Sequence, residues 1–240
     1  MRIAAISDLH YDKESKGKLK DVFEEASEEA DVLLLCGDLT DYGTPEEASV
    51  LADDLRSHVR IPMLAVFGNH DYECGKAKQL RKIVEDAGVR MLDGESFEMD
   101  GIGFAGTCGF AGGFGKWALN SWGEPAIKQF VQASVDEALK LETALARLQA
   151  DRRVVMLHYA PIRETVDGEP PEIYPFLGSS RLEDPLNHFE VDVVFHGHAH
   201  HGTAEGKTSS GVPVYNVSIN VLRGLNGGAP SFKLYEIEGS

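Results

Sequence analysis

The chain is predicted to fold as an α/β protein built on a parallel sheet, and two observations carry that reading. Three short apolar runs, each followed by a stretch with helical apolar spacing, succeed one another in about the first 90 residues, the pattern of parallel strands joined by right-handed crossovers. Each run also stops abruptly in Asp, Asn or His. Those residues then fall at the carboxyl edge of the sheet, where open α/β folds place their ligands.

Taken in order, Arg2 to Ile6 is an apolar strand that delivers Ser7-Asp8-Leu9-His10. Residues 17–30 follow as a helix, with Leu19, Val22, Phe23, Ala26 and Ala30 on one face. Leu33-Leu34-Leu35-Cys36 reads as a buried strand, and Gly37 and Asp38 end it. Thr44-Pro45-Glu46-Glu47 then opens a second helix, with a capping box and Pro at the first helical position. Pro62 to Phe67 is the third strand and ends in Gly68-Asn69-His70-Asp71; a helix over 76–87 follows, stopped at Gly88 as its cap.

Beyond residue 90 the pattern changes. Asp100-Gly101 between Phe97-Glu98-Met99 and Ile102 to Ala105 predicts a hairpin. Gly103 to Gly115 holds six glycines interleaved with phenylalanines, which predicts a long loop, glycine- and aromatic-rich over about 103–123. Pro125 to Gln149 is the longest helix, and Val154 to Leu157 is a strand ending in His158. Three prolines make 163–178 irregular. Val191 to Phe195 is a strand running into His196-Gly197-His198-Ala199-His200-His201, and Val212 to Val217 and Phe232 to Ile237 are expected to close the fold as antiparallel strands.

Composition narrows the function. A chain of 240 residues with 42% hydrophobic and 26% charged residues suits one domain over 1–240. Its formal charge of −16 repels polyanions, which argues against an extended nucleic-acid groove. Three cysteines without a Cys-x-x-Cys pair exclude a thiolate zinc site and suit a reducing cytoplasm. Neither a signal-type apolar core nor a run of about 18 apolar residues is present, so no membrane association is expected.

Five predicted strands in succession end in oxygen or imidazole donors, and a sheet brings such ends together along one edge. The pieces read Asp8-Leu9-His10, Gly37-Asp38-Leu39-Thr40-Asp41, Gly68-Asn69-His70-Asp71, His158 and Gly197-His198-Ala199-His200. In this order the chain resembles the calcineurin-like metallophosphoesterase family, without a substitution at a ligand position. The resemblance implies a β-sandwich of two mixed sheets flanked by helices, with the metal site at the carboxyl ends of strands. It implies one divalent ion on Asp8, His10, Asp38 and His200, and a second on Asp38, Asn69, His158 and His198, with Asp38 as the bridge. A carboxylate, having two oxygens, suits that bridging position. The donor set suits Mn, Fe or Zn ions.

By the same resemblance, a metal-bridging hydroxide attacks a small phosphomonoester or phosphodiester, nucleotides included, in the two-metal manner. His70 is left over from the ligands and is assigned with Asp71 as catalytic. Asn69, His70 and Arg163 are expected to bind the substrate phosphate. Asp41 is expected to hold a loop or a ligand histidine in place, and His196 and His201 flank the motif but are not expected to reach the site, because His196 shares the inward parity only while the chain stays extended and Gly197 is expected to bend it. Phe110, Phe114, Trp117 and Trp122 are candidates for stacking on a base or sugar. The rival readings are a binding scaffold that keeps the fold without the chemistry, for which no ligand is missing, and a nuclease.

Overall fold

A computed structural model describes residues 1–238; the last two residues of the domain expected over 1–240 lie outside the described residues. The first half runs β1 (Arg2–Ile6), α1 (Lys20–Glu29), β2 (Val32–Cys36), α2 (Pro45–His58), β3 (Met63–Val66), α3 (Ala77–Asp86), β4 (Val89–Met91), β5 (Glu95–Met99) and β6 (Ile102–Gly106). The second half runs α4 (Pro125–Arg147), β7 (Arg152–Met156), α5 (Tyr174–Leu177), α6 (Glu183–His188), β8 (Val193–His196), β9 (Glu205–Lys207), β10 (Pro213–Asn216), α7 (Ile219–Leu225) and β11 (Lys233–Glu236).

Two mixed sheets result. The first has the order β11-β1-β2-β3-β4, in which β1 to β4 are parallel and β11 runs antiparallel to β1. The second has the order β5-β6-β7-β8-β10-β9, parallel from β6 to β10 and edged by antiparallel strands. Alternation along each strand decides which layer a side chain joins. Val154 and Met156 of β7, with Val193 and Phe195 of β8, enter the core shared with the first sheet. Val155, Leu157 and Val194 point the other way, onto Leu141, Ala144 and Leu145 of α4. The progressive crossovers β1-α1-β2-α2-β3-α3-β4 place α1, α2 and α3 together on the outer face of the first sheet. Every residue of β2 is buried, as expected of a central strand covered on both faces.

Local chemistry sets the helix ends. Thr44 accepts the Glu47 amide at 3.3 Å while Glu47 accepts the Thr44 amide at 3.0 Å, the reciprocal cap predicted for α2. Helix α1 begins at Lys20, three residues later than the spacing suggested, because Gly17 is held at a φ of 75° in the preceding turn. At the far end of α3 the cap is Ala87, and Gly88 is the next residue, at a φ of 93°.

One strand is added and three further expectations are corrected. Strand β4 is too short to show a pattern in sequence, yet it adds to β3 in parallel. The glycine-rich loop starts only after Gly106, since Gly103 and Gly106 pair in register with Glu98 and Glu95. Strand β10 is parallel to β8, not antiparallel, because the intervening β9 turns the chain a second time before β10 pairs with both. Residues 163–178 are not wholly irregular, since they contain short helical turns and α5. The predicted antiparallel closure holds for β11 against β1, and for β10 only on its β9 side.

Candidate metal centre

The donor-bearing loops leave the carboxyl ends of strands from both sheets: β1, β2 and β3 of the first, β7 and β8 of the second. A single sheet edge therefore does not gather them; the facing ends of two sheets do. Backbone contacts lock the sheets together at that end. Ser7 N–H donates to the Val217 carbonyl at 2.9 Å and the Ile219 N–H donates to the Ser7 carbonyl at 3.0 Å, while within the first sheet the Ser7 hydroxyl donates to the Cys36 carbonyl at 2.6 Å.

Three groups of donors converge, each with its ligand atoms within 4.8 Å of one another: Asp8, His10, Asp38 and His200; Asp38, His158 and His198; and His10, Asp41 and His70. Asp38 is common to the first two. Its Oδ1 lies 3.4 Å from His158 Nε2 and its Oδ2 lies 3.8 Å from His10 Nε2. Asn69 sits on the second group through its Oδ1, 3.0 Å from His158 Nε2.

The loops reach this geometry through strained backbone. Asp8, His10, Asp38 and His198 have φ of 60°, 44°, 48° and 68°, four of the six non-glycine residues with positive φ among those described. Such conformations cost of order 1 kcal/mol or more each and concentrate at functional sites. Two motif glycines make the close approach possible. A Cβ on Gly68 would overlap the Asp38 carboxylate, and one on Gly197 would overlap the Ser7 hydroxyl and Asp8.

The protonation states divide the histidines. Burial lowers His10, and lowers His198 to about 4, so both rings are neutral with a lone pair to offer. The His198 Nε2 faces the Phe176 carbonyl at 3.2 Å, which leaves Nδ1 as its acceptor atom. Burial alone would lower His158 as well, but the neighbouring Asp38 carboxylate outweighs it and holds the ring up at about 9. Its Nδ1 faces the Cys36 carbonyl at 3.1 Å, a contact that aims Nε2 into the centre. His200 is raised by its 3.0 Å hydrogen bond to Asp8. Burial would raise Asp8, but that bond and the histidine charges pull it below the usual carboxylate range.

A divalent cation fits these residues. The two ring nitrogens of His10 are buried with no hydrogen-bond partner, an arrangement that is costly unless something else takes a lone pair. The surrounding donors are carboxylates, imidazoles and an amide oxygen, the set that hard and borderline divalent ions accept.

His70 stands beside the donors. Its Nδ1 donates to the Asp41 carbonyl at 2.6 Å, which turns Nε2 toward the Asp38 carboxylate, 4.0 Å away. The Asp41 side chain lies 3.4 Å from His10 Nδ1. Asp71, expected to act with His70, lies elsewhere. It is fully buried and accepts from Leu39 N at 3.1 Å, Thr40 N at 2.9 Å, the Thr40 hydroxyl at 2.7 Å and Gly68 N at 2.9 Å. It clamps the loop after β2 to the loop after β3, and so positions Asp38, Asn69 and His70 without facing the centre. Burial and the Asp38 charge raise it to about 6.

Arg163 is not brought to the centre. Its side chain, 67% exposed, is 3.7 Å from Asp167 and 5.6 Å from the Tyr174 ring, and it lines a separate cavity of about 510 Å³ with Lys116 and Lys207. His196 is buried between the Gly197 carbonyl and the Thr165 hydroxyl, both at 2.8 Å, because it is the last residue of β8 and points into the protein. His201 is exposed, with only its main-chain N–H engaged, by Glu169. Of the loop aromatics, Phe110 packs on Phe130 and Tyr159, while Trp117 is 80% exposed. Sequence reasoning passed over Tyr159. Tyr159 lays its ring 4.4 Å from His198, and its position directly after His158 was the available signal.

A family model described as calcineurin-like phosphoesterase matches residues 1–202. Among solved structures, a phosphopantetheinyl hydrolase from Mycobacterium tuberculosis superposes with a TM-score of 0.67 at 18% identity, covering 98% of this chain and 95% of that one. The protein TT1561 of Thermus thermophilus gives a TM-score of 0.58 at 14% identity, over 92% and 90% of the two chains. No curated protein matches the chain by sequence.

Proposed function

The chain belongs to the calcineurin-like phosphoesterase family, hydrolases of phosphate ester bonds, and from that premise we propose that it cleaves small phosphomonoesters or phosphodiesters, nucleotides among them, at a centre of two divalent ions. One observation carries this reading: Asp38 belongs at once to the group of Asp8, His10 and His200 and to the group of His158 and His198, so its carboxylate is the natural bridge between two cations. Asn69 completes the second group.

Two ions held by Asp8, His10, Asp38, Asn69, His158, His198 and His200 would supply Lewis acidity to a phosphate ester and would lower the pKa of a water. The protein does the rest. Asp71 holds the two motif loops in register, and the Cys36 carbonyl fixes the His158 ring. His70, oriented through Nδ1 by Asp41, presents Nε2 to the ester, where the doubly protonated ring stabilises developing charge or passes its Nε2 proton to the departing oxygen. The acidic surface disfavours long polyanions, which supports a small substrate over a nucleic acid. Mn, Fe and Zn all suit the donors. The free thiols of Cys36, Cys74 and Cys108 support a cytoplasmic setting, and no described helix is long and apolar enough to cross a membrane.

The test is metal content by mass spectrometry together with hydrolysis of a phosphomonoester, a phosphodiester and cyclic nucleotides, with each divalent ion supplied. Two ions per chain and turnover of at least one ester class are expected. Protein loaded with every ion in turn that cleaves none of them overturns the reading.

A further inference from the structure

A cavity of about 560 Å³ opens beside Asn69, the one donor that lines it. Three rings wall it: Tyr72, Phe110 and Tyr159. Asn69 lines it and the Tyr159 ring also lies against His198, so the cavity borders the side of the centre where Asn69, His158 and His198 meet. Its rim is acidic, with Asp93, Asp136 and Glu137 against the single ammonium of Lys140. That ammonium is already taken, by Asp93 at 3.0 Å and Glu137 at 2.7 Å. A second phosphate or carboxylate entering here would meet carboxylates and no free cation, whereas a flat group would find ring faces and a cation would find both rings and charge.

We propose that this cavity is the subsite for the leaving alcohol, and that it selects a ring-bearing alcohol that is positively charged over one that is negatively charged. The inference rests on the phosphoesterase reading above and adds to it a substrate class. It divides the work of recognition. The phosphate goes to the donors around Asp38, and the alcohol goes to Tyr72, Phe110 and Tyr159, with Asp93 and Asp136 reading its charge.

The test uses the intact metal-loaded protein and two esters of equal size and similar leaving-group acidity, para-(aminomethyl)phenyl phosphate and para-carboxyphenyl phosphate. The kcat/KM ratio should favour the cationic ester by about ten-fold, the scale of two nearby carboxylates acting through solvent-exposed space. The double variant Asp93→Asn/Asp136→Asn should bring that ratio close to one. As a control, Glu28→Gln/Glu29→Gln removes two exposed carboxylates from α1 and should leave the ratio unchanged, which separates the local rim from the overall charge. Tyr72→Ala should raise KM for both esters with little change in kcat. Equal or better cleavage of the anionic ester, a ratio that survives the rim substitutions, or a ratio that the control moves equally overturns the subsite. If neither ester is hydrolysed the phosphoesterase reading fails separately, and the subsite is then judged by calorimetric binding of the matching non-hydrolysable phosphonates, for which the same preference is required.

Discussion

Metal uptake should release a proton from His158 even at neutral pH. In the metal-free protein the ring is held at about 9, against an ordinary 6.5, and its two nitrogens face the Cys36 carbonyl and the oxygens of Asp38 and Asn69. A difference of that size is worth about 3 kcal/mol of interaction favouring the charged ring. Because the folded value lies above the unfolded one, this stabilisation of the metal-free fold is complete below about pH 6.5 and is lost as the pH rises through about 9. A cation competes for the same nitrogen, so its apparent affinity should move the opposite way, rising about ten-fold per pH unit from pH 7 to 9 for this one proton. Calorimetric titration of metal into the protein, in buffers of different ionisation enthalpy, counts protons released directly; thermal melts of metal-free protein over the same range follow the stability. At least one proton per chain is expected at pH 7, with melting of the metal-free form falling as the pH climbs. Proton release near zero at pH 7, or an affinity flat from pH 7 to 9, would refute a protonated His158 and with it the role of Asp38 in holding that charge.

The remaining predictions test single positions. His70→Ala should retain the bound metal while kcat falls about 10²–10⁴-fold, the range for one positioned acid; kinetics beside metal analysis checks both halves, and lost metal would make His70 a ligand. Asp38→Ala should weaken both ions together, since both donor groups include it, and metal analysis showing one ion retained at full affinity would end its bridging role. Gly197→Ala forces a methyl into Ser7 and Asp8 and should lower stability by about 1–3 kcal/mol, read by denaturant melts, along with metal affinity. Asp71→Ala leaves buried amides of Leu39, Thr40 and Gly68 without their acceptor and should cost about 3 kcal/mol or more in the same melts.

Much of the first sheet was legible because its central strands are buried on both faces and α2 carries a capping box. The apolar run 33–36 and the Thr44 capping box are local signals, and the structure realises both. What escaped depends on partners distant in sequence. Val89–Met91 is a strand only because β3 offers it an edge, and Gly103 and Gly106 join a strand because β5 pairs with them, against the propensity of glycine. The direction of β10 is likewise set by its neighbour β9, which a pattern of alternating residues does not encode.

The centre was legible as a list of donors and illegible as an arrangement. Ordered motifs at strand ends pointed to Asp8, His10, Asp38, Asn69, His158, His198 and His200, and the fold brings these side chains together, because they need only lie at the same end of the fold. Their neighbours were harder to place. Asp71 and His70 are adjacent in sequence, but one begins a buried clamp of four hydrogen bonds while the other faces the donors, a difference created by one short helical turn after Asn69. His196 and His198 share strand parity only if the chain stays extended, and His198 turns to a φ of 68°, so His196 goes to Thr165 and His198 to the centre. The strain at Asp8, His10, Asp38 and His198 is therefore more than a local cost. It swings donors out of the alternation that β-strands impose and lets two sheets present their ligands to one point, and the folded core beneath supplies the stability that holds them there.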